Sequence, residues 1–143
     1  MGDQVLKLLG ATLTQCVKGQ DTAARYGGEE FCIILPGTGL KDAVKLAEKI
    51  RQRMSGKKVV NRKTGEDLGK ITISIGVGAF DFGEPPGQFI ARSDDALYTA
   101  KRNGRDRAVS QDEVQGKELA FGSYRSLFGK FITTACSYSD RLF

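Results

Sequence analysis

The chain has 143 residues and a net charge of +5, with 40% hydrophobic and 27% charged residues. That length suits one domain with a real core, and the balance is ordinary for a globular protein. No window reaches the roughly 18 consecutive apolar residues of a membrane span and no signal peptide is visible; histidine is absent, which excludes His triads, His-ligated metals and His acid–base chemistry.

Residues 3–17 read as a helix with Val5, Leu8, Leu9, Leu13 and Cys16 on one face and Asp3 near its start, where an acid is favoured. Lys18-Gly19-Gln20-Asp21 ends it, with Gly19 as a C-cap. Two short runs, Thr22 to Tyr26 and Phe31 to Leu35, flank Gly27-Gly28 and predict a β-hairpin, because glycine takes the positive φ of a tight turn cheaply. Glu29 and Glu30 sit directly behind the glycines at the head of the apolar run. Strand side chains alternate, so the two acids should point opposite ways. A carboxylate beside bare backbone suits a hard cation carrying a nucleotide phosphate. Gly-Gly plus acids also occurs in solvated hairpins, and spacing alone leaves both readings open.

Pro36-Gly37-Thr38-Gly39 is a loop, and a helix is predicted over 40–54 with Thr38 or Gly39 as its cap. Leu40, Ala43, Val44, Ala47, Ile50 and Met54 form its buried stripe, and Lys41, Lys45, Glu48, Lys49 and Arg53 face water. A short strand (Val59, Val60) leads to the polar turn Asn61–Asp67. Residues 71–80 alternate β-branched with small residues, as an interior strand does. A helix over 88–103 turns Phe89, Ile90, Ala96, Leu97 and Ala100 inward and stops at Gly104; Arg107-Ala108-Val109 forms a last short strand. The order α, hairpin, α, β, β, α, β predicts an α/β (α+β, two-layer) domain over 1–110, a mostly antiparallel sheet with helices on one or both faces. From Ser110 the pattern degrades, and 111–143 read as a C-terminal tail, a loose appendage or a partner-dependent segment.

Basic residues cluster only weakly, at Lys57-Lys58, Arg62-Lys63 and Lys101 to Arg107, which argues against a nucleic-acid partner. Cys16, Cys32 and Cys136 are odd in number and widely spaced; Cys16 and Cys32 sit in apolar patterns and read as core thiols of a cytoplasmic protein.

Arg25-Tyr26-Gly27-Gly28-Glu29-Glu30-Phe31 resembles the signature of the GGDEF family, the diguanylate cyclases, in its Glu-for-Asp variant. Gly2-Asp3-Gln4-Val5-Leu6, Thr72-Ile73-Ser74-Ile75-Gly76-Val77 and Ala96-Leu97-Tyr98-Thr99-Ala100-Lys101-Arg102-Asn103-Gly104-Arg105-Asp106 resemble further family motifs in the family's order. The resemblance covers residues 2 to about 109. It implies the nucleotide-cyclase-like palm and the joining of two GTP molecules into cyclic di-GMP with release of pyrophosphate. One GTP is held by each of two facing copies, and Mg²⁺ or Mn²⁺ assists. It further implies Glu29 as metal ligand and catalytic residue, and Glu30 as the acid that orients or deprotonates the attacking hydroxyl. Gly27 and Gly28 would lie against the nucleotide, Asp3 would meet the guanine edge, and Lys101 and Arg105 would hold phosphates. From the residues alone, Asp3 is equally a helix-start acid. Lys101 and Arg105, four apart and on one side of a continuous helix, are equally solvated cations at a helix C-terminus.

Two departures qualify the resemblance. The family's aspartate-bearing first strand and guanine-binding asparagine lie ahead of the Gly-Asp helix, and the chain begins too late to contain them. It is therefore expected to be a piece of a longer protein or to start at an internal Met, to lack a central strand, and to have little cyclase activity alone. Lys18-Gly19-Gln20-Asp21 stands where many members carry Arg-x-x-Asp, an inhibitory site for the product, so Lys18 and Asp21 form a degenerate version of it. The competing expectation is a GGDEF-like module that binds GTP or a protein without turnover. An RNA-binding domain of similar topology lacks the aromatic strand pair it would need.

Overall fold

The structure, a computed structural model, describes residues 2–114 and 132–137. Helix α1 (Gly2–Cys16) buries Val5, Leu9, Leu13 and Cys16 along one stripe, with Leu8 half-buried beside them. Helix α2 (Leu40–Ser55) starts from Gly39 and buries Ala43, Ala47, Ile50 and Met54. The two stripes share one apolar core with Phe31, Ile33, Ile75 and Val77 from the sheet.

Strands β1 (Thr22–Gly27) and β2 (Glu30–Ile34) pair antiparallel as the expected hairpin. β3 (Lys58–Val60) and β4 (Asp67–Lys70) form a separate two-stranded sheet. β4 lies at the edge of what the sequence reads as a polar turn. Its chain reversal closes through Asn61, whose side chain accepts the Lys63 backbone N–H at 2.9 Å and whose backbone N–H donates to Glu66 O at 2.8 Å. β5 (Ser74–Ala79) is shorter than the apolar run suggests; Ile71 and Ile73 are buried ahead of it without belonging to a strand.

The alternation in β5 has a direct structural use. Ile75 and Val77 enter the core shared with α1 and α2, while Ser74, Gly76 and Gly78 face helix α3 (Pro86–Arg102) on the other side of the sheet. The helix backbone rests on the glycines. A Cβ on Gly76 would lie 2.8 Å from Leu97 Cα and closer still to Ser93 O and Leu97 N. Beyond α3, β6 (Ala108–Ser110) runs parallel to β5, and a 3-10 turn (Gln111–Glu113) closes on a capping box between Ser110 and Glu113.

The sheet has a strand that the sequence pattern does not announce. β7 (Ile132–Ser137) lies at its centre, in the order β1-β2-β7-β5-β6, antiparallel to both neighbours. The expected gap at the centre is thus occupied by six residues of the C-terminal segment. The rest of that segment, 115–131 and 138–143, lies outside the described residues.

Candidate nucleotide-binding site

The hairpin turn differs in detail from its sequence reading. Gly27 still pairs with Glu30, so the two-residue loop is Gly28-Glu29, and Gly28 takes the positive φ of 45°. Glu29 therefore stands on the loop, and only Glu30 opens the strand. The Arg25 guanidinium donates twice to Gly28 O, at 2.7 and 3.0 Å, and ties the loop back to β1. A register shift between Arg25 and Gly27 leaves Tyr26 64% exposed. Among the described residues nothing stands within 4 Å of the position a Gly28 Cβ would take, which leaves the backbone beside Glu29 open to a ligand.

Strand alternation sets the direction of Glu30. Phe31 and Ile33 are buried in the main core, which sends Glu30, Cys32 and Ile34 to the opposite face, the one covered by α3. Pairing through β7 aligns Glu30 with Ser137 and Ser137 with Ser74. Along α3, Gly78 meets Phe89 and Ser93 while Gly76 meets Ser93 and Leu97. One two-residue step of strand, about 6.6 Å, thus matches one four-residue step of helix, about 6 Å. A further step brings Lys101 level with Ser74, and so with the row that ends at Glu30.

Asp94, one face of α3 with Lys101 at i+7, is a residue the sequence reading missed. Burial, then the Glu30 charge, then Asp95 hold its carboxyl above the usual aspartate value. Burial first and Asp94 second push the Cys32 thiol up as well. Glu30, Cys32 and Asp94 therefore share one pocket of field between β2 and α3. The helical spacing from Lys101 was the available signal.

Arg105 does not lie on a continuous helix with Lys101. α3 ends at Arg102, and Arg105 and Asp106 come after it in left-handed backbone with φ of 63° and 45°. Such conformations persist only where neighbours enforce them. Arg51 Nη1 donates to Asp106 at 2.8 Å and its Nε to Glu48 at 3.0 Å, while Glu48 also accepts the Ala108 N–H at 3.0 Å. Glu48, expected to face water, instead helps α2 to hold the loop that carries Arg105.

Asp3 lies exposed in the first turn of α1, 3.0 Å from Lys7 Nζ. It borders a groove of about 820 Å³ between α1 and the β3–β4 hairpin, with Lys7, Lys58, Arg62 and Lys63 around an apolar floor that includes Leu8 and Val59. Gln4 fixes that hairpin to α1 by donating to Val60 O at 2.6 Å. α1 spans about 22 Å and β1 about 20 Å. Joined by one tight turn, they return Asp3 to the end of the fold where the Gly28-Glu29 loop lies. The joining turn is Lys18–Asp21 itself. The Lys18 N–H donates to the Asp21 carboxylate at 3.2 Å, the Asp21 N–H to Lys18 O at 3.0 Å, and Gly19 takes φ 59°.

Among the described residues no three His, Cys, Asp or Glu side chains group to hold a metal by themselves. Glu29 and Glu30 are nonetheless hard oxygen donors beside open backbone, and Mg²⁺ is usually held by one or two carboxylates with substrate phosphates. The donor set fits a phosphate-borne cation and not a closed protein cage. No helix among the described residues is long and apolar enough to cross a membrane.

The chain is similar to proteins of one family. The family described as "Diguanylate cyclase, GGDEF domain" matches residues 1–107. Response regulator PleD of Caulobacter vibrioides is 39% identical over 112 residues, 78% of this chain and 24% of its own length. Diguanylate cyclase A of Treponema denticola is 40% identical over 109 residues, 76% of this chain and 29% of its own. The GGDEF domain of DgcB from Caulobacter crescentus, solved in complex with c-di-GMP, superposes with a TM-score of 0.74 at 36% identity, over 77% of this chain and 64% of that one. The active GGEEF domain of a Vibrio cholerae diguanylate cyclase gives 0.65 at 33%, over 80% and 69%. The chain spans about a quarter to a third of the length of these curated relatives.

Proposed function

We propose, from the premise that this chain belongs to the GGDEF family of diguanylate cyclases, that it is the GTP-binding body of an enzyme that makes cyclic di-GMP. The observation that carries the reading is the open Gly28-Glu29 loop with Glu30 opening the strand beside it, and the helical repeat of α3, which carries the row of Ser93 and Leu97 on to Lys101, supports it. In the reaction the 3′-hydroxyl of one GTP attacks the α-phosphorus of another, and pyrophosphate leaves. Two facing copies, one GTP on each, bring these atoms together.

Each residue has a role that its placement supports. Gly27 and Gly28 let the triphosphate approach the loop. Lys101 and Arg105 neutralise phosphate oxygens, and Asp3 accepts hydrogen bonds from the guanine edge. Glu29, with Glu30 beside it, would hold Mg²⁺ or Mn²⁺, which when bound supplies charge stabilisation at the reacting phosphate. Glu30 orients the attacking hydroxyl or takes its proton. The free thiols Cys16 and Cys32 suit a cytoplasmic site of action.

A second reading, binding without turnover, is favoured by one register. The strand position across from Glu30 holds Ser137, which is no metal ligand of carboxylate type. The 143-residue chain alone is therefore expected to bind GTP but to convert little of it.

Calorimetric titration with a non-hydrolysable GTP analogue and Mg²⁺, beside Glu29→Ala, tests the reading. Metal-dependent binding that the substitution abolishes supports a working half-site at the hairpin. Binding unaffected by Glu29→Ala, or absent in both proteins, refutes it, and brisk turnover by the chain alone refutes the second reading.

A further inference from the structure

We infer that Arg51 is a positioning residue for the phosphates of the nucleotide: through Asp106 it fixes the backbone that carries Arg105, and so sets how strongly Arg105 grips them. The inference rests on the reading of this chain as a GTP-binding body. It gives Arg51 no contact with the nucleotide.

Arg105 stands in a strained stretch of chain. Gly104, Arg105 and Asp106 take φ of 109°, 63° and 45° in succession. Gly104 is the glycine that ends a helix, and the Arg105 N–H donates to Ala100 O at 3.0 Å, five residues back, as in a Schellman close. That motif asks for one left-handed residue. It accounts for Gly104 and leaves the two residues after it without a local cause. A residue with a Cβ holds such a conformation only where its surroundings over-determine it, and strain of this kind gathers at ligand clamps. Here it falls on a residue that phosphate binding requires to keep its side chain.

The over-determination comes from α2. Glu48 and Arg51 are three apart on that helix and share a face. Arg51 reaches Asp106 at 2.8 Å, and Glu48 accepts the Ala108 N–H at 3.0 Å. Position 107 is held by the sheet, where the Ile75 N–H donates to Arg107 O at 2.9 Å. Arg107 Nε donates in turn to Arg105 O at 2.9 Å. Exposed ion pairs contribute little, but the Arg51 side chain is only 20% exposed and that of Asp106 32%. The bond to Asp106 is also the largest of the interactions that keep Arg51 charged. Lys70 Nζ stands 4.0 Å from Asp106, beyond hydrogen-bond reach, so it supplies no directed hold.

Without the Arg51 fork, residues 105 and 106 can relax out of the left-handed region. A change of φ at 105 redirects its Cα–Cβ bond, and the long side chain enlarges that error at the guanidinium. Lys101 lies within α3 and keeps its place. The loss is confined to what Arg105 contributes.

Calorimetric titration of the 143-residue chain with a non-hydrolysable GTP analogue and Mg²⁺ tests the assignment as a double-mutant cycle. Arg51→Ala should weaken binding at least about tenfold, the worth of one charge-assisted hydrogen bond. In an Arg105→Ala background the same substitution should cost less than about twofold, and in a Lys101→Ala background about tenfold again. A group that merely supports the fold costs the same in both. Arg51→Lys should not restore binding, because an ammonium lacks the fork that spans two acceptors. If Arg51→Ala does not fold, Asp106→Gly replaces it: glycine takes the left-handed turn unaided but offers Arg51 no carboxylate. It should show the same loss, absent in the Arg105→Ala background and present in Lys101→Ala.

Equal costs in the two backgrounds, or no cost in the parent, overturn the inference and leave the GTP-binding reading standing. A parent that binds no analogue, or whose binding survives Glu29→Ala unchanged, fails that reading and the inference with it.

Discussion

The seating of α3 on two glycines of β5 is the contact that aligns Lys101 with the hairpin, and it makes a quantitative test. In Gly76→Ala the new methyl meets backbone: Ser93 O, Leu97 N and, at 2.8 Å, Leu97 Cα. Carbon atoms pack at about 3.5–4.0 Å, so the helix must lift by about 1 Å. Alanine in a strand gains roughly 0.5–1 kcal/mol over glycine, and overpacking of this kind costs about 1–3 kcal/mol or more. Because no side chain can move aside, the upper end applies, and we expect a net loss of about 2 kcal/mol. Gly78→Ala is different. Its methyl meets the Ser93 hydroxyl at 2.5 Å and backbone only at 3.2 Å or beyond. Rotation of the hydroxyl relieves part of the clash, and a loss of about 1 kcal/mol is expected. Urea unfolding at constant m measures both. In a Ser93→Ala background the cost of Gly78→Ala should fall by at least half, while that of Gly76→Ala should stand. Equal costs for the two glycines, or rescue of Gly76→Ala by Ser93→Ala, would refute the seating.

Three further outcomes rest on named groups. Burial raises the Glu84 carboxyl, but Arg92 and the Asp81 N–H outweigh it and leave it below its ordinary value. Its stabilisation is therefore present above about pH 4.5 and is lost as pH falls through the lowered value. Glu84→Gln should cost about 2 kcal/mol at pH 7, and its urea midpoint should converge with that of the parent in acid; Asp94→Asn should instead gain stability at neutral pH, since a raised carboxyl destabilises once ionised. Ser137→Asp sets a carboxylate at the register position across from Glu30 and should raise Mn²⁺ affinity about tenfold by electron paramagnetic resonance; unchanged affinity in a folded variant would count against a metal site at this end of the sheet. Lysine lacks the planar fork that grips a phosphate or guanine edge, so Lys18→Arg should strengthen binding of cyclic di-GMP in a direct titration. Equal, tight binding by parent and variant would dismiss the Lys18–Asp21 turn as a degenerate product site.

Local pattern carried much of the fold. The stripe Ala43, Ala47, Ile50, Met54 and the small face Ser74, Gly76, Gly78 were legible because each is a repeat at the period of its own element. What was not legible depends on residues far apart in the chain. Glu48 has the periodicity of a solvent-facing residue, yet Ala108, sixty positions on, donates its N–H to it. Arg92 lies on α3 with no motif around it. It holds Glu84 through two bonds and donates to Ala79 O at 2.6 Å, so one guanidinium fastens the loop after β5 to the helix. The helix-based pairing of Lys101 with Arg105 failed for a local reason. The helix stops at Arg102, and the left-handed residues after it are enforced by Arg51 on another helix.

β7 shows most plainly why a strand can escape its own sequence. Ile132–Ser137 is six residues long and mixes one isoleucine with two threonines, an alanine, a cysteine and a serine. One isoleucine among small and hydroxylated residues is a weak signal for a central strand. Its place is decided by the partners: two apolar edges, antiparallel to one another's shared neighbour, with one gap between them. A slot defined this way selects direction and register strongly and side-chain identity weakly. That division has a chemical consequence. The sheet is satisfied by whatever strand completes the backbone pairing, whereas the charge beside Glu30 depends on which residue that strand brings to one register position. Here it is Ser137. Structural completeness and metal-binding capacity are thus separable properties of this fold. A single substitution at position 137 would change only the second.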